Sequence, residues 1–194
     1  MPTRVILIFW FMSEVTVWTK RLLDATGSES RNVPIAWEGV ERELGTQLPY
    51  EYKQLCEAFG CGEFSDFLHV LSVDESQVFD LLTRWRVLLN DAVMFGVGSD
   101  DTDPIFDPYR IYEPGKGGLI PWGSSRSADE FYWLVEPGAK GDWPILARVA
   151  DSTNWRRFDI SVPEFVVRVL TDPDFRPFGV SREIPQPFFT PVAI

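Results

Sequence analysis

Apolar residues return every three or four positions through the first third of the chain, which is the period of an amphipathic helix. This pattern predicts helices over residues 13–27, 35–45 and 49–60. Each segment ends in a glycine, a residue that readily takes the left-handed conformation closing many helices. We therefore expect three consecutive helices at the start of the domain.

Two later helices are predicted from the residues that begin them. Asp74 is followed three positions later by Gln77, and Ser161 is followed in the same way by Glu164. Both pairs have the spacing of a capping box, in which two side chains satisfy free backbone N–H groups at a helix start. Apolar residues behind the pairs keep a helical period, so helices are expected over 74–90 and 161–171.

Elsewhere the pattern changes to short runs rich in β-branched and aromatic residues. Strands are predicted at residues 67–71, 119–122, 130–135, 145–149 and 155–160. Short turns separate the last four, which favours an antiparallel meander. Helices, a meander and a final helix together predict an α+β fold, with a mixed, largely antiparallel β-sheet flanked by helices.

The domain organisation follows from where these patterns stop. A length of 194 residues suits a single domain, which we place at residues 13–171. Residues 1–12 are interpreted as an N-terminal extension that need not be native, because a helix start follows Met12 directly. Residues 172–194 are rich in proline and predict an extended C-terminal tail.

The charge balance narrows the kinds of partner. The chain has 29 acidic and 18 basic residues, a formal net charge of −11. Nucleic acids and anionic membranes are bound through lysine and arginine, so neither is expected as a partner. A basic protein is favoured instead, since opposite charge steers association.

The sequence offers few groups for catalysis or metal binding. Any Ser–His–Asp triad would need the single histidine, His69, which lies within the predicted strand FLHVL. Cys56 and Cys61 make neither a disulfide framework nor a complete zinc set. We expect reduced thiols in a cytoplasmic protein, with no catalytic residue, no metal site and no cofactor.

Two segments are candidates for a partner-binding surface. SDDTDPIFD is an acidic loop without the glycine and glutamate of an EF-hand, interpreted as a solvated loop or a docking patch. GGLIPWGSSRSADEFYW is expected mainly to build the core and a turn; the alternative is an aromatic cup that opens beside the acidic loop. The candidate residues are Asp100, Asp101, Asp103, Asp107, Trp122, Asp129 and Tyr132.

Carbohydrate or small-molecule binding remains a competing hypothesis. Glycosidases use two carboxylates about 5–9.5 Å apart, and Asp129 with Glu113 or Asp142 would be the candidates here. Nothing in the sequence places these residues at that distance, so hydrolase activity is not favoured. A deep pocket with convergent carboxylates would favour this hypothesis, and a flat acidic face would favour protein binding.

Three collinear segments resemble one known family. They are WEGVERELGTQLPYEYKQLCEAFGCGEF at 37–64, DPYRIYEPGKGGLIPWGSSRSADEFYW at 107–133 and WPILARVADSTNWRRFDISVPEFV at 143–166. In order and spacing they are similar to the SUKH superfamily, in its branch related to the fungal cell-wall assembly regulator. Ala128 stands where that family often has glycine before the aspartate, which is expected to alter the turn slightly.

The resemblance implies both a fold and a function. The family fold is a mixed sheet flanked by helices. Many bacterial members act, or are inferred to act, as immunity proteins that block a toxin, often a nuclease, whereas fungal relatives are regulatory adaptors. The resemblance therefore implies a non-enzymatic protein-binding module, and no catalytic residue can be transferred from it.

Overall fold

The computed structural model describes residues 15–73, 79–94, 106–139, 141–177 and 186–192. Within them the helices are α1 (Val17–Thr26), α2 (Trp37–Leu44), α3 (Tyr50–Phe59), α4 (Leu81–Met94) and α5 (Val162–Thr171). The predicted N-terminal extension, residues 1–12, lies outside the described residues. No helix among those described combines the length and the apolar character needed to cross a bilayer.

The helices confirm most of the predicted pattern, including the ends of α1 and α2. Gly27 and Gly45 follow them in the left-handed conformation, with φ of 61° and 68°. Helix α4 begins later than predicted, because Asp80 accepts the backbone N–H of Thr83 over 2.7 Å. The predicted start of that helix, residues 74–78, lies outside the described residues.

The predicted capping box at the start of α5 is wrong. Ser161 makes no side-chain hydrogen bond to the first turn, and its hydroxyl has no partner among the described residues. Glu164 pairs with Arg168 one turn further along the helix. The ion pair draws the glutamate away from the helix start, so the first turn of α5 lacks a side-chain cap.

The strands form one antiparallel sheet, as the predicted α+β fold requires. They are β1 (Gly62–Phe64), β2 (Leu68–Val70), β3 (Gly118–Ser125), β4 (Asp129–Val135), β5 (Ile145–Val149), β6 (Arg156–Phe158) and β7 (Phe189–Pro191). Their order is β6-β5-β4-β3-β2-β1-β7, and every neighbouring pair is antiparallel. The α+β prediction is confirmed; β1 and β7 were not predicted as strands.

The two faces of the sheet are covered differently. One face, which we call the helical face, packs against α3 and α5, and α1 packs on those two helices. Its aromatic core includes Trp122 stacked on Phe131, and Phe165 of α5 meets the edges of both rings. The opposite face is covered by α4 and by the segment at residues 106–112. Alternation along β4 assigns neighbouring residues to opposite faces.

Part of the segment predicted as an extended C-terminal tail joins the sheet as strand β7. Strand β7 pairs with β1, and the ring of Phe189 packs 5.0 Å from Phe59 and 4.8 Å from Phe64, between ring centroids. A Cβ on Gly62 would lie 2.4 Å from the Phe189 ring, so a side chain there would displace β7. The sheet therefore includes a strand that lies beyond residue 171, the predicted end of the domain.

Candidate functional site

The predicted acidic loop is only partly described. Asp100, Asp101 and Asp103 lie outside the described residues. Asp107 is exposed, and its backbone carbonyl accepts the indole N–H of Trp155 over 3.0 Å. Its role in partner binding stays a prediction.

The aromatic cup is not present, and the three other candidate residues require a correction. Trp122 and Asp129 are fully buried, and Tyr132 is 1% exposed. Trp122 lies in the core of the helical face, whereas Tyr132 lies on the opposite face beneath Phe106. None of them can touch a partner while the domain is folded, so the core-and-turn interpretation of this segment is confirmed for them.

Asp129 supports the turn between β3 and β4. The hydroxyl of Ser125 donates to Oδ2 of Asp129 over 2.6 Å and accepts the backbone N–H groups of Ser127 and Asp129. Ala128, between them, is held at φ 63°, a left-handed conformation in which a Cβ is unfavourable. The departure from the family pattern thus falls at a position whose backbone suits glycine.

We expect Ala128→Gly to raise the free energy of unfolding by about 0.5–1 kcal/mol, because glycine relieves the strain of the left-handed conformation. The greater flexibility that glycine gives the unfolded chain offsets only part of this gain. Urea denaturation monitored by tryptophan fluorescence measures it. Asp151→Gly, at φ 60°, is the parallel variant and should change stability in the same direction. A loss of stability in both variants would contradict the strain argument.

The carboxylate pairs considered for sugar hydrolysis are too far apart. Asp129 begins β4, while Asp142 precedes β5 beyond the other end of β4, and Glu113 bridges to Gly117 at that same end. A seven-residue strand spans roughly 20 Å, about twice the widest glycosidase spacing. The structure therefore excludes Asp129 as a partner of either residue in such a reaction.

A buried ion pair, which the sequence reasoning missed, lies on the opposite face of the sheet. Arg148 is 1% exposed, and its Nε donates to Oε2 of Glu130 over 2.8 Å. The guanidinium lies 4.3 Å from the ring centre of Phe106 and 4.6 Å from that of Trp155. Oε2 of Glu130 also accepts the Tyr132 hydroxyl over 2.9 Å. Burial, and then Glu130, raise the pKa of Tyr132 well above its usual value.

This cluster secures the chain that leads out of the acidic loop. The ring of Phe106 packs on the guanidinium of Arg148, and the indole N–H of Trp155 donates to the backbone carbonyl of Asp107. Arg148 and Glu130 compensate each other's charge in this pair, which indicates a structural role. The cluster therefore fixes where the acidic loop returns to the sheet.

The more open candidate is a cleft of about 450 Å³ where α1, α3 and α5 begin, on the helical face. We call it the acidic cleft; among the residues that line it are Trp18, Glu51, Asp142, Trp143, Asp159 and Glu164. Trp143 packs edge-on against Trp133, 5.8 Å between ring centroids, so the floor is rigid and aromatic. Its volume falls in the usual range for ligand sites.

The carboxylates of the acidic cleft are unequally compensated. Asp159 and Glu164 each form an ion pair with an arginine. Within the described ranges, neither Glu51 nor Asp142 has a cation within 4.0 Å. Glu51 is half-buried and Asp142 is exposed. In the part of the chain that the structure describes, these two carboxylates of the cleft therefore lack a cationic partner.

The cleft also contains hydrogen-bonding groups without partners. Trp143 is 4% exposed, and its indole N–H has no acceptor in the part of the chain that the structure describes. The hydroxyl of Ser161, at the first turn of α5, is likewise unpartnered there. A buried donor without an acceptor costs about 1–3 kcal/mol, and both atoms are themselves closed to solvent, so they lower the stability of this region and are not open to a ligand.

The histidine and cysteines lie away from the acidic cleft. His69 is a half-buried strand residue, as predicted; burial lowers its pKa, and Glu63, 3.1 Å away across the ladder, partly opposes that shift. Neither cysteine forms a disulfide within the described residues, and burial raises the pKa of Cys56 to about 12. No three His, Cys, Asp or Glu side chains among the described residues are grouped to hold a metal ion.

The fold and the cleft define an α+β domain with an acidic, aromatic-floored cleft. A scan against protein-family models finds no match, and searches of curated proteins and of solved structures find none either.

Proposed function

We propose that this chain is a non-enzymatic protein-binding module that docks a basic protein against the acidic cleft. The observation that carries the proposal is a pair of carboxylates, Glu51 and Asp142, that have no cation within 4.0 Å among the described residues and lie beside an aromatic floor. The resemblance to the SUKH superfamily makes a toxin domain, of the nuclease type, the expected partner. In that role the chain is a cytoplasmic immunity protein.

Charge supports this proposal both before the partner makes contact and after it has done so. The net charge of −11 attracts a basic partner before contact and raises the association rate. At contact, a cation that enters the cleft meets carboxylates in a partly dry site, where charge pairs are stronger than in water. A nuclease that binds phosphates through a basic surface offers the complementary charge.

A second candidate function is the binding of a carbohydrate or other small molecule, as in a regulatory adaptor. The aromatic floor and the volume of the acidic cleft favour it, since sugars stack on tryptophan and bond to carboxylates. The two candidates differ in charge dependence. A neutral sugar would bind almost equally well at high salt, whereas a basic protein would not.

The double variant Glu51→Gln/Asp142→Asn is expected to weaken binding of the basic partner at least tenfold. Each lost charge contact is worth roughly 1 kcal/mol or more in a partly buried interface. Immobilised wild-type and variant proteins would be exposed to the same lysate, and bound proteins would be compared quantitatively by mass spectrometry. A candidate recovered only by the wild type is then purified, titrated directly, and co-expressed to test neutralisation of toxicity.

Glu38→Gln is the matched control, because Glu38 is exposed on α2 and does not line the acidic cleft. It should leave the titrated affinity within about twofold. If the double variant binds the partner as tightly as the wild type does, the cleft is not the docking site. If tight binders are recovered but none is basic, the charge argument fails.

A further inference from the structure

The outer edge of β1 has a slot that accommodates an aromatic ring. Gly62 lies in β1 outside the positive-φ region, so its backbone conformation does not itself require glycine. A Cβ there would nevertheless lie 2.4 Å from both the Phe189 ring and the carbonyl oxygen of Thr190 in β7. Glycine inside a strand often marks the close approach of another backbone. The missing side chain of Gly62 therefore makes room for a paired strand that carries a ring.

Two phenylalanines form the rest of this slot. Phe59 and Phe64 are 2% and 1% exposed, and their ring centroids lie 5.0 Å and 4.8 Å from that of Phe189. Edge-on and tilted contacts of this kind favour an aromatic ring beyond the apolar area that it buries. We call the outer side of β1, with Gly62, Phe59 and Phe64, the strand-acceptor edge.

The main chain of the strand-acceptor edge is also paired by β7. The backbone N–H of Ser65 donates to the carbonyl of Phe188 over 2.8 Å, and that of Val192 donates to the carbonyl of Cys61 over 3.0 Å. Proteins that bind peptides by strand addition take affinity from such backbone bonds and specificity from side-chain pockets. The contact between β1 and β7 contains both parts of that recognition mode within one chain.

Strand β7 has the features of a segment that opens easily. It is three residues long, Thr190 and Pro191 are exposed, and Pro191 has no N–H to donate. Its main neighbour among the described elements is β1, and within the described residues β7 is the last strand of the sheet. Segments with few buried contacts open at a smaller free-energy cost than the whole domain. We therefore expect β7 to leave the edge while the rest of the sheet stays folded.

Charge favours a separate protein over a second copy of this chain as the incoming strand. Each copy has a formal net charge of −11, so two copies repel each other as they approach. A neutral or basic segment of another protein meets no such repulsion. The strand-acceptor edge also lies at the end of the sheet opposite β6, whose Arg157 lines the acidic cleft, so the two sites are separate.

We propose that the strand-acceptor edge binds an extended segment of another protein, with an aromatic side chain in the slot at Gly62, and that β7 covers the edge until that segment displaces it. β7 then acts as an internal competitor, because a tethered strand has an effective concentration of about a millimolar. This proposal does not depend on the acidic cleft.

The test measures binding of a fluorescent peptide with the sequence of residues 186–192 to the full chain, by fluorescence anisotropy. The variant Phe189→Ala weakens the internal competitor, so the peptide should bind it at least about tenfold more tightly than the wild type. On this variant, a peptide with alanine at the position of Phe189 should bind at least about tenfold more weakly. A peptide with leucine there should bind about threefold more weakly, since leucine is apolar but not aromatic.

Two glycine variants in the Phe189→Ala background locate the site. Gly62→Ala places a Cβ in the slot and should abolish peptide binding, whereas Gly39→Ala has no atom near the added Cβ and should leave binding unchanged. In ¹⁵N spectra of Phe189→Ala, the peptide should move the amide signals of Glu63 and Ser65. Unchanged binding after Gly62→Ala, unmoved signals at these two residues, or equal binding of the phenylalanine and leucine peptides would overturn the proposal.

Wild-type protein provides a readout that does not depend on the folding of any variant. The amide of Val192, bonded to Cys61, should exchange with solvent at least about 100-fold faster than that of Leu134, bonded to Pro144 within the sheet. Equal exchange rates would show that β7 leaves only when the whole domain unfolds, which contradicts the proposal. Sedimentation at up to about 0.5 mM should show a monomer. A dimer that Phe189→Ala abolishes would assign the edge to a second copy and overturn the choice of partner.

Discussion

Glu130→Gln is expected to lower the free energy of unfolding by about 3 kcal/mol, because it removes the carboxylate that compensates a buried cation. Arg148 is 1% exposed and keeps its charge in the variant, while the charge it faces at 2.8 Å is gone. The Tyr132 hydroxyl also loses a charged acceptor. Chemical denaturation with a fitted midpoint and slope gives the measured change.

Arg84→Gln is the control for this variant. Arg84 lies 3.7 Å from the same carboxylate but its side chain is 47% exposed, so its loss should cost less than about 1 kcal/mol. The double variant Glu130→Gln/Arg148→Met should be at least about 2 kcal/mol more stable than the sum of the two single losses, since it removes both buried charges. Purely additive losses would show that Glu130 and Arg148 do not depend on each other.

Gly118→Ala should cost about 3 kcal/mol, for two reasons that act together. Gly118 begins β3 at φ +126°, a conformation that residues with a side chain rarely adopt. An added Cβ would also lie 2.7 Å from the carbonyl oxygen of Arg110 and 2.9 Å from that of Ile111. Both neighbours are backbone atoms, so the strand must shift as a unit. Thermal unfolding followed by circular dichroism reports the loss.

Gly39→Ala makes the same chemical change where neither cause operates. Gly39 lies within α2 with no atom within 4 Å of the added Cβ, so helix propensity should raise stability by about 0.5–1 kcal/mol. The two alanine variants should therefore move the melting temperature in opposite directions. Similar small shifts in both would mean that the close approach at Gly118 is tolerated.

The sequence reasoning located the recognisable motif but misjudged which of its residues could face a partner. In GGLIPWGSSRSADEFYW the aromatic residues were candidates for a cup, and the structure buries Trp122 and Tyr132 on opposite faces of the sheet. Strand alternation could predict that neighbouring side chains point to opposite faces of the sheet. It could not predict that both faces of this sheet are covered. Tyr132, which points away from the helical face, is therefore buried as well.

The Glu130–Arg148 pair shows a limit of prediction from sequence patterns alone. The two residues lie directly opposite each other on β4 and β5, a register that the short turn between the predicted strands leaves open. A shift of β5 by one residue would turn Arg148 to the other face, away from Glu130. The sequence showed opposite charges on strands that were predicted to be neighbours. Only the observed register shows that Glu130 and Arg148 are in contact.

The helices and strands could be predicted because they depend on residues that are close in sequence. Helical periodicity, left-handed glycines at Gly27 and Gly45, and short alternating runs indicated most helices, four meander strands and the α+β class. The acidic cleft could not be predicted in that way. Trp18, Glu51, Asp142 and Ser161 come from four distant segments that meet only because α1, α3 and α5 pack together at their first turns. Long-range packing decides which side chains converge, and burial decides which of them stay without a partner.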